Sequence, residues 1–163
     1  MTRLTGWRRA AMVAGVVVLL DQISKAAIVA SRSLGETTNV FFGIDLNYVR
    51  NDGVAFGALA GAGSIVLVLT GVAVLALVTY FALNADRRWL WLPVGMIAGG
   101  ALGNLADRAR DGAVVDFIDP IAWPAFNVAD VCIVVGILGF VAVLEGPDEK
   151  TEDRGQKTGT AAE

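Results

Sequence analysis

The chain has 163 residues, of which 55% are hydrophobic, and its mean hydropathy is +0.61. Soluble domains are about 45–50% apolar, so the composition indicates a membrane protein with little mass outside the bilayer. Histidine is absent, which excludes Ser-His-Asp and Cys-His catalysis and histidine-ligated metal sites. The net charge of −3 carries little information, because five acidic residues lie in the C-terminal tail: Asp148, Glu149, Glu152, Asp153 and Glu163.

Four stretches are long and apolar enough to cross a bilayer, which takes about 20 residues. They cover residues 10–30, 64–83, 89–106 and 125–144. A region rich in aromatic and β-branched residues, about 37–60, predicts short strands on the membrane surface. A loop over 107–124 joins the third and fourth stretches and contains Asp116. Residues 1–145 are predicted to form one membrane-embedded domain, followed by a disordered tail over 146–163.

The first apolar stretch has two interpretations. Arg3, Arg8 and Arg9 ahead of an apolar run resemble a secretory signal peptide. Asp21 and Lys25 interrupt the run, however, and no clean cleavage site of small residues follows, so a retained helix is favoured. The basic residues then predict the orientation, because cytoplasmic segments of membrane proteins carry an excess of Lys and Arg. Most of them lie in the N-terminus, the second connection and the tail, which predicts cytoplasmic termini and motif-bearing loops outside.

The third stretch combines a small-residue ridge with a polar face. Glycines recur every four residues and would let another helix approach closely in lipid: Gly95, Gly99 and Gly103. Asn104, Asp107 and Arg108 share a different face, where an ion pair between Asp107 and Arg108 would aim the arginine. The alternative is an ordinary interfacial Asp–Arg pair at a helix end, but it leaves Asn104, one turn deeper, unexplained.

Two further aspartates lie in apolar surroundings. Asn127 and Asp130 share one face at the start of the fourth stretch, where a carboxylate could also serve the helix dipole alone. Asp116 lies in an apolar run, where loss of hydration would raise its pKa. Asp119 is its rival, although an aspartate before proline is typical of a turn. Two such carboxylates close together would share a proton, as in an aspartic protease.

The remaining polar residues have simpler interpretations. Asp21 and Lys25 are four residues apart on a helix and are predicted to form a buried ion pair. A nucleophilic pair of Ser24 and Lys25 is disfavoured, because adjacent helical residues point about 100° apart. The sequence Asn51-Asp52-Gly53 predicts a turn.

Together these residues resemble the lipoprotein signal peptidases, the type II signal peptidases of bacteria. The resemblance extends from Asp21 to Gly136 and rests on five motifs in the family's order and spacing. They are Asp21-Gln-x-x-Lys25, Asn47-x-Val-x-Asn51-x-Gly53-x-Ala55-Phe56-Gly57, Gly99-Gly-x-x-Gly-Asn104-x-x-Asp107-Arg108, Val115-Asp116-Phe117 and Phe126-Asn127-x-Ala129-Asp130. The fold it implies is an all-α polytopic membrane protein with four transmembrane helices and both termini cytoplasmic. A small extracytoplasmic β-cradle and a short amphipathic surface helix complete that fold.

The resemblance also implies an intramembrane aspartyl endopeptidase of the bacterial cytoplasmic (inner) membrane, with its active site on the extracytoplasmic side. Such an enzyme removes the signal peptide of prolipoproteins by cutting on the N-terminal side of a diacylglyceryl-modified cysteine. The implied partners are these prolipoproteins, membrane lipid and cyclic lipopeptide inhibitors such as globomycin; no metal, cofactor or nucleic acid is required. Site residues carry over as a catalytic pair, Asp116 and Asp130; substrate-binding residues, Asn51, Asn104, Asp107, Arg108 and Asn127; and supporting residues, Asp21, Lys25 and Gly53.

Two other classes of protein are compatible with intramembrane carboxylates. A small proton-coupled carrier also places acids and ion pairs in its helices. Carriers usually show internal repeats and sites at the midplane, whereas here no repeat is evident and the acids cluster toward one surface. A structural assembly subunit is the other class, but it would not need polar faces of the Asn-x-x-Asp type.

Overall fold

The computed structural model describes residues 2–52 and 63–146, which form four helices and three strands. In chain order these are α1 (Arg3–Ser31), β1 (Thr37–Phe41), β2 (Ile44–Asn51), α2 (Gly63–Asn84), α3 (Trp91–Asp111), β3 (Val114–Pro120) and α4 (Val128–Glu145). Each predicted apolar stretch contains a helix, and the described residues are mostly helical with one small antiparallel sheet. The implied amphipathic surface helix is not found in these two ranges. Gly53 lies outside the described residues, as does the tail beyond Gly146.

The connection between α3 and α4 differs from the predicted loop. Helix α3 continues to Asp111 and ends where Gly112 adopts a left-handed conformation with φ of 73°. Strand β3 follows and pairs antiparallel with β2, giving the sheet order β1-β2-β3. The first four residues of β3 are buried, so Asp116 lies on a strand instead of in a loop. The apolar residues around Asp116 (Val114, Val115 and Phe117) can form a buried strand once the segment has a partner, and β2 supplies that partner.

Helix α3 lies between α1 and α4, and the glycine ridge packs against α1. A Cβ added at Gly99 would lie 2.8 Å from the Ala14 carbonyl oxygen and 2.8 Å from Val17 Cβ. A Cβ at Gly95 would meet the Ala10 carbonyl oxygen at 2.7 Å. Real side chains do not approach so closely, so the two backbones can be this near only because the ridge lacks side chains. The predicted ridge is therefore confirmed as a helix contact.

Contacts at the helix ends place the sheet and the chain's first helical turn at opposite ends of the bundle. Arg3, at the start of α1, donates to the Leu83 carbonyl at the end of α2. Arg87, between α2 and α3, donates to the Val143 carbonyl at the end of α4. The sheet is formed by segments that follow the other ends of α1 and α3. The helices therefore run alternately up and down, with the sheet at the end farther from Arg3.

Three helices among the described residues are long and apolar enough to cross a membrane: Arg3–Ser31, Ile65–Asn84 and Val128–Glu145. Most of the apolar surface of α2 and α4 is exposed, as expected for surfaces that face lipid. Helix α3 is not among the three. Its last turns carry polar and charged residues, several of which are buried against the neighbouring elements. Asp21 and Lys25 of α1 are buried as well, which favours the retained helix over a cleaved signal peptide.

Candidate active site

Asp116 points away from solvent, with 2% of its surface exposed. Asn51 Nδ2 donates to its Oδ2 at 2.9 Å, and Asn127 Nδ2 donates to its Oδ1 at 2.7 Å. Burial raises the pKa of Asp116 to about 6, and the negative charge of Asp130 also raises it, while the two amide donors lower it. The predicted upward shift is confirmed. A carboxylic acid with this pKa can hold or release a proton near neutrality.

Asp130 lies in the first turn of α4 and forms a capping box with Asn127. The Asn127 Oδ1 accepts the Asp130 backbone N–H at 3.0 Å, and Asp130 Oδ2 accepts the Asn127 backbone N–H at 3.2 Å. The other carboxylate oxygen accepts from Asn104 Nδ2 at 2.7 Å. The carboxylate therefore caps a helix, as the simpler interpretation expected, and also contacts a polar side chain of α3.

One asparagine joins the two aspartates. Asn127 is fully buried, its Nδ2 donates to Asp116 Oδ1, and its backbone N–H donates to Asp130 Oδ2, so the two carboxylates are linked through a single residue. Asp119 does not reach this cluster. It accepts from Asn47 Nδ2 at 3.0 Å and lies opposite Asp45 of β2. The structure therefore brings Asp116, rather than its rival, together with Asp130.

A group of buried charges lies next to the two asparagines. Lys25 Nζ donates to Asn104 Oδ1 at 2.8 Å, and it lies 2.8 Å from Asp21 Oδ2 and 2.7 Å from Asp107 Oδ2. These three charged side chains are at most 3% exposed. Asp21 also accepts the backbone N–H of Ala129 at 3.0 Å, which satisfies a donor in the first turn of α4. The predicted Asp21–Lys25 ion pair is confirmed, and Asp107 belongs to the same cluster.

The expected pair between Asp107 and Arg108 is wrong. Asp107 Oδ1 instead pairs with Arg110 at 3.1 Å and accepts from Gln22 at 2.9 Å. Adjacent residues on a helix diverge by about 100°, whereas residues three apart lie on one face. Arg108 Nη1 reaches only the Asn104 carbonyl, at 3.5 Å, and its buried Nε has no hydrogen-bond partner among the described residues.

Sequence reasoning missed Gln22 and Arg110, which hold Asp107 in place. Both offered a signal: Gln22 lies inside the motif that begins at Asp21, and Arg110 is three residues from Asp107 on the same helix. Ser24 donates to the Asp21 carbonyl at 2.8 Å, so its hydroxyl serves the helix backbone. Within residues 2–52 and 63–146, no group of three or more Cys, Asp or Glu side chains is arranged to hold a metal ion.

Comparison with known proteins identifies the family. A family model described as signal peptidase (SPase) II matches residues 13–144. The chain belongs to the signal peptidase II family. A lipoprotein signal peptidase of Halothermothrix orenii is 39% identical over 74% of this chain and 84% of its own length. Another, from Moorella thermoacetica, is 43% identical over 78% of this chain and 86% of its own length.

Solved structures also resemble this chain. One, described as a bacterial membrane enzyme, superposes with a TM-score of 0.77 at 30% identity, covering 85% of this chain and 94% of its own. With three apolar helices, this likeness indicates a multi-pass membrane protein. Membership of the signal peptidase II family makes the chain an aspartic peptidase. The comparisons give no support to the carrier or the structural subunit.

Proposed function

We propose that this chain removes signal peptides from bacterial prolipoproteins, with Asp116 and Asp130 as its catalytic pair. The observation that carries the assignment of the pair is that both carboxylates, which lie on two different elements, accept hydrogen bonds from the buried Asn127. The pKa of Asp116 near 6 supports it, because burial and the charge of Asp130 both favour a shared proton.

The pair would act by general acid–base catalysis. The ionised aspartate takes a proton from a water molecule as that water attacks the scissile carbonyl. The protonated aspartate donates a hydrogen bond to the carbonyl oxygen, which becomes the oxyanion of the tetrahedral intermediate. Return of a proton to the leaving amine then breaks the peptide bond. No step requires a metal or a cofactor.

The contacts suggest a division of labour among the residues expected to bind substrate. Asn51, Asn104 and Asn127 each donate to a catalytic carboxylate, so we infer that they orient the pair. Asp107 is fully buried against Lys25, which suits a supporting role better than a substrate contact. Arg108 is only half-buried, and its Nε has no partner among residues 2–52 and 63–146, so its guanidinium is the group best placed to bind peptide or lipid ester oxygens.

The position of the charges supports a defined orientation in the membrane. The end of the bundle that carries Arg3 and Arg87 also carries three tryptophans, Trp7, Trp89 and Trp91. Tryptophans are typical of either membrane interface, and the arginines favour the cytoplasmic one. We infer that all four helices cross the bacterial cytoplasmic membrane, with both termini inside. Helix α3 can cross despite its polar end, because α1 and α4 flank it. The sheet and the aspartates then lie on the extracytoplasmic side.

This placement suits a lipid-anchored substrate. A diacylglyceryl-modified cysteine is held in the outer leaflet, so the peptide bond before it lies near the membrane surface. Asp130 is in the first turn of α4, Asp116 is on the adjoining sheet, and both carboxylates contact Asn127. We propose that the cut falls on the N-terminal side of that cysteine and that cyclic lipopeptides such as globomycin compete for this site.

The test is cleavage of a diacylated prolipoprotein in detergent by Asp116→Asn and Asp130→Asn variants. Both are expected to lose cleavage while they still bind a cyclic lipopeptide, because the amide keeps the shape of the side chain but cannot exchange a proton. Asp119→Asn, on the same strand and half-buried, is the matched control and should cleave normally. Full processing by either variant of the pair would refute the assignment.

A further inference from the structure

We propose that Lys25 is a positioning residue whose ammonium fixes the Asn104 side-chain amide, so that Asp130 is held as the ionised member of the pair and Asp116 carries the proton. This inference rests on the proposed function of the two aspartates and assigns them different roles.

The argument begins with the direction of the hydrogen bonds. An ammonium group can only donate, so the atom that Asn104 presents to Lys25 at 2.8 Å must be its oxygen. The Asn104 nitrogen is therefore on the other side, where it donates to Asp130 Oδ1 at 2.7 Å. Rotation of this amide by 180° would place its nitrogen against the ammonium and its oxygen against the carboxylate. Lys25 thus orients the Asn104 amide so that its nitrogen donates to Asp130, although the lysine itself does not contact that aspartate.

Asn127 provides weaker support for the same orientation. Its Nδ2 carries two hydrogens but has three acceptors within reach: Asp116 Oδ1 at 2.7 Å, Asn104 Oδ1 at 3.1 Å and the Val115 carbonyl at 3.3 Å. Asn127 therefore cannot donate fully to all three acceptors, and its bond to Asn104 is the weaker for it. Without Lys25, this weakened hydrogen bond would be the contact that remains to hold the Asn104 oxygen in place.

The donors around the two carboxylates differ in kind. Asp130 accepts from Asn104 and from the Asn127 backbone N–H at the positive end of the α4 dipole. Asp116 lies on a strand and accepts from two neutral amide side chains, Asn51 and Asn127. Two close carboxylates cannot both ionise freely, so the proton is held by the member with the weaker electrostatic support. That member is Asp116.

The charges that face Lys25 are nearly balanced. Asp21 lies on its own helix, and α3 contributes Asp107, which Arg110 also contacts. Beyond the asparagines lie Asp116 of β3 and Asp130 of α4. On the far side, a half-open cavity of about 420 Å³ is bordered by further charged side chains: Arg50, Arg110 and Asp111. Arg50 donates to the Asp111 carbonyl there. If Lys25 is lost, the buried carboxylates of Asp21 and Asp107 are left, among the described residues, with only the exposed Arg110 as a nearby cation. Replacing Lys25 therefore changes the local charge as well as the orientation of Asn104, and the two effects must be tested separately.

The experiment compares the pH dependence of kcat/KM for prolipoprotein cleavage in three proteins: wild type, Lys25→Met, and Asp21→Asn with Lys25→Met. The double variant removes one charge of each sign, and the new asparagine oxygen can still accept the Ala129 N–H. In both variants the acid limb, where the ionised member takes up a second proton, is expected to move up by about 1 pH unit. In Lys25→Met the alkaline limb should also rise, because the charge of Lys25 lowers the pKa of Asp116.

The control is Arg110→Met, which removes a cation that contacts Asp107 but does not touch Asn104. Its acid limb should stay at the wild-type position. If the double variant returns to the wild-type profile, Lys25 acts through its charge alone and the inference is overturned. The same conclusion follows if Lys25→Met and Arg110→Met shift the profile equally. Failure of the proposed function would look different, since cleavage would then survive Asp116→Asn or Asp130→Asn.

Discussion

Replacing Asp116 with asparagine is expected to make the fold more stable, relative to wild type, at alkaline pH than at acidic pH, although it abolishes cleavage. Burial raises the pKa of Asp116 from the ordinary 3.8 to about 6, so the folded protein binds a proton there more tightly than the unfolded chain. Above the folded pKa the carboxylate is ionised in both states, and holding it ionised in its folded surroundings costs about 3 kcal/mol of stability. Near pH 4.5 the cost falls to about 1 kcal/mol, because the folded protein now carries the proton. The wild-type protein therefore regains stability as the pH falls through about 6. The asparagine variant does not, because its side chain cannot take up a proton in this range.

The measurement is thermal unfolding in detergent, with both proteins melted at about pH 8 and about pH 4.5. The stability of the variant relative to wild type should be about 2 kcal/mol greater at the higher pH, or roughly 4–8 °C in Tm. Any cost of turning the new amide toward the donors of Asn51 and Asn127 is the same at both pH values and cancels. Val114→Ala, a buried change on the same strand that cannot titrate, should shift Tm equally at both. An equal shift for Asp116→Asn would refute the reasoning.

Three further outcomes are expected. Gly99→Ala should lower Tm, because forcing a methyl group into a close contact costs about 1–3 kcal/mol. Gly71→Ala, which has open space around it, should leave Tm unchanged or raise it. Equal effects of the two changes would contradict the close packing of the glycine ridge against α1. Asn51→Leu removes a donor that lowers the pKa of Asp116, so the alkaline limb of kcat/KM should move to higher pH. An unmoved limb would mean that the hydrogen bond from Asn51 does not affect the ionisation of Asp116. Arg108→Lys should raise KM more than it lowers kcat, since an ammonium cannot reproduce a forked guanidinium, and an unchanged KM would remove Arg108 from substrate binding.

The helices could be predicted from the sequence because their signal is local. A run of about 20 apolar residues identifies a bilayer-crossing helix whatever its neighbours are. Strand β3 carries no comparable signal, since its seven residues include two aspartates and a proline. It is a strand because β2 lies beside it, with Val49 opposite Asp116. The end of α3 was also missed, because its charged last turn lacks the apolar character that predicted the rest.

The parts of the site that lie on one helix were predictable, and those that join elements were not. Helical spacing places Asp21 near Lys25, and it places Asn127 near Asp130. The same rule, applied to Asp107, should have favoured Arg110 over the adjacent Arg108. No spacing in the sequence brings Asn127, the N-cap of α4, to Asp116 of β3, so the pairing of the aspartates was expected only from the family resemblance. The contact depends on how β3 returns alongside the start of α4, which the bridge between Ile118 and Phe126 fixes.

The glycine ridge and the buried charges depend on each other. Gly103 is the last glycine of the ridge, and a Cβ there would lie 2.6 Å from Asp21 Oδ2, so the missing side chain makes room for that carboxylate. Asp21 in turn contacts Lys25 and accepts the N–H of Ala129, the residue before Asp130. The closeness of α1 and α3 therefore sets the start of α4 and, with it, one catalytic carboxylate. Because the site takes its geometry from this helix packing, a change that separates the two helices should displace the aspartate as well as weaken the fold.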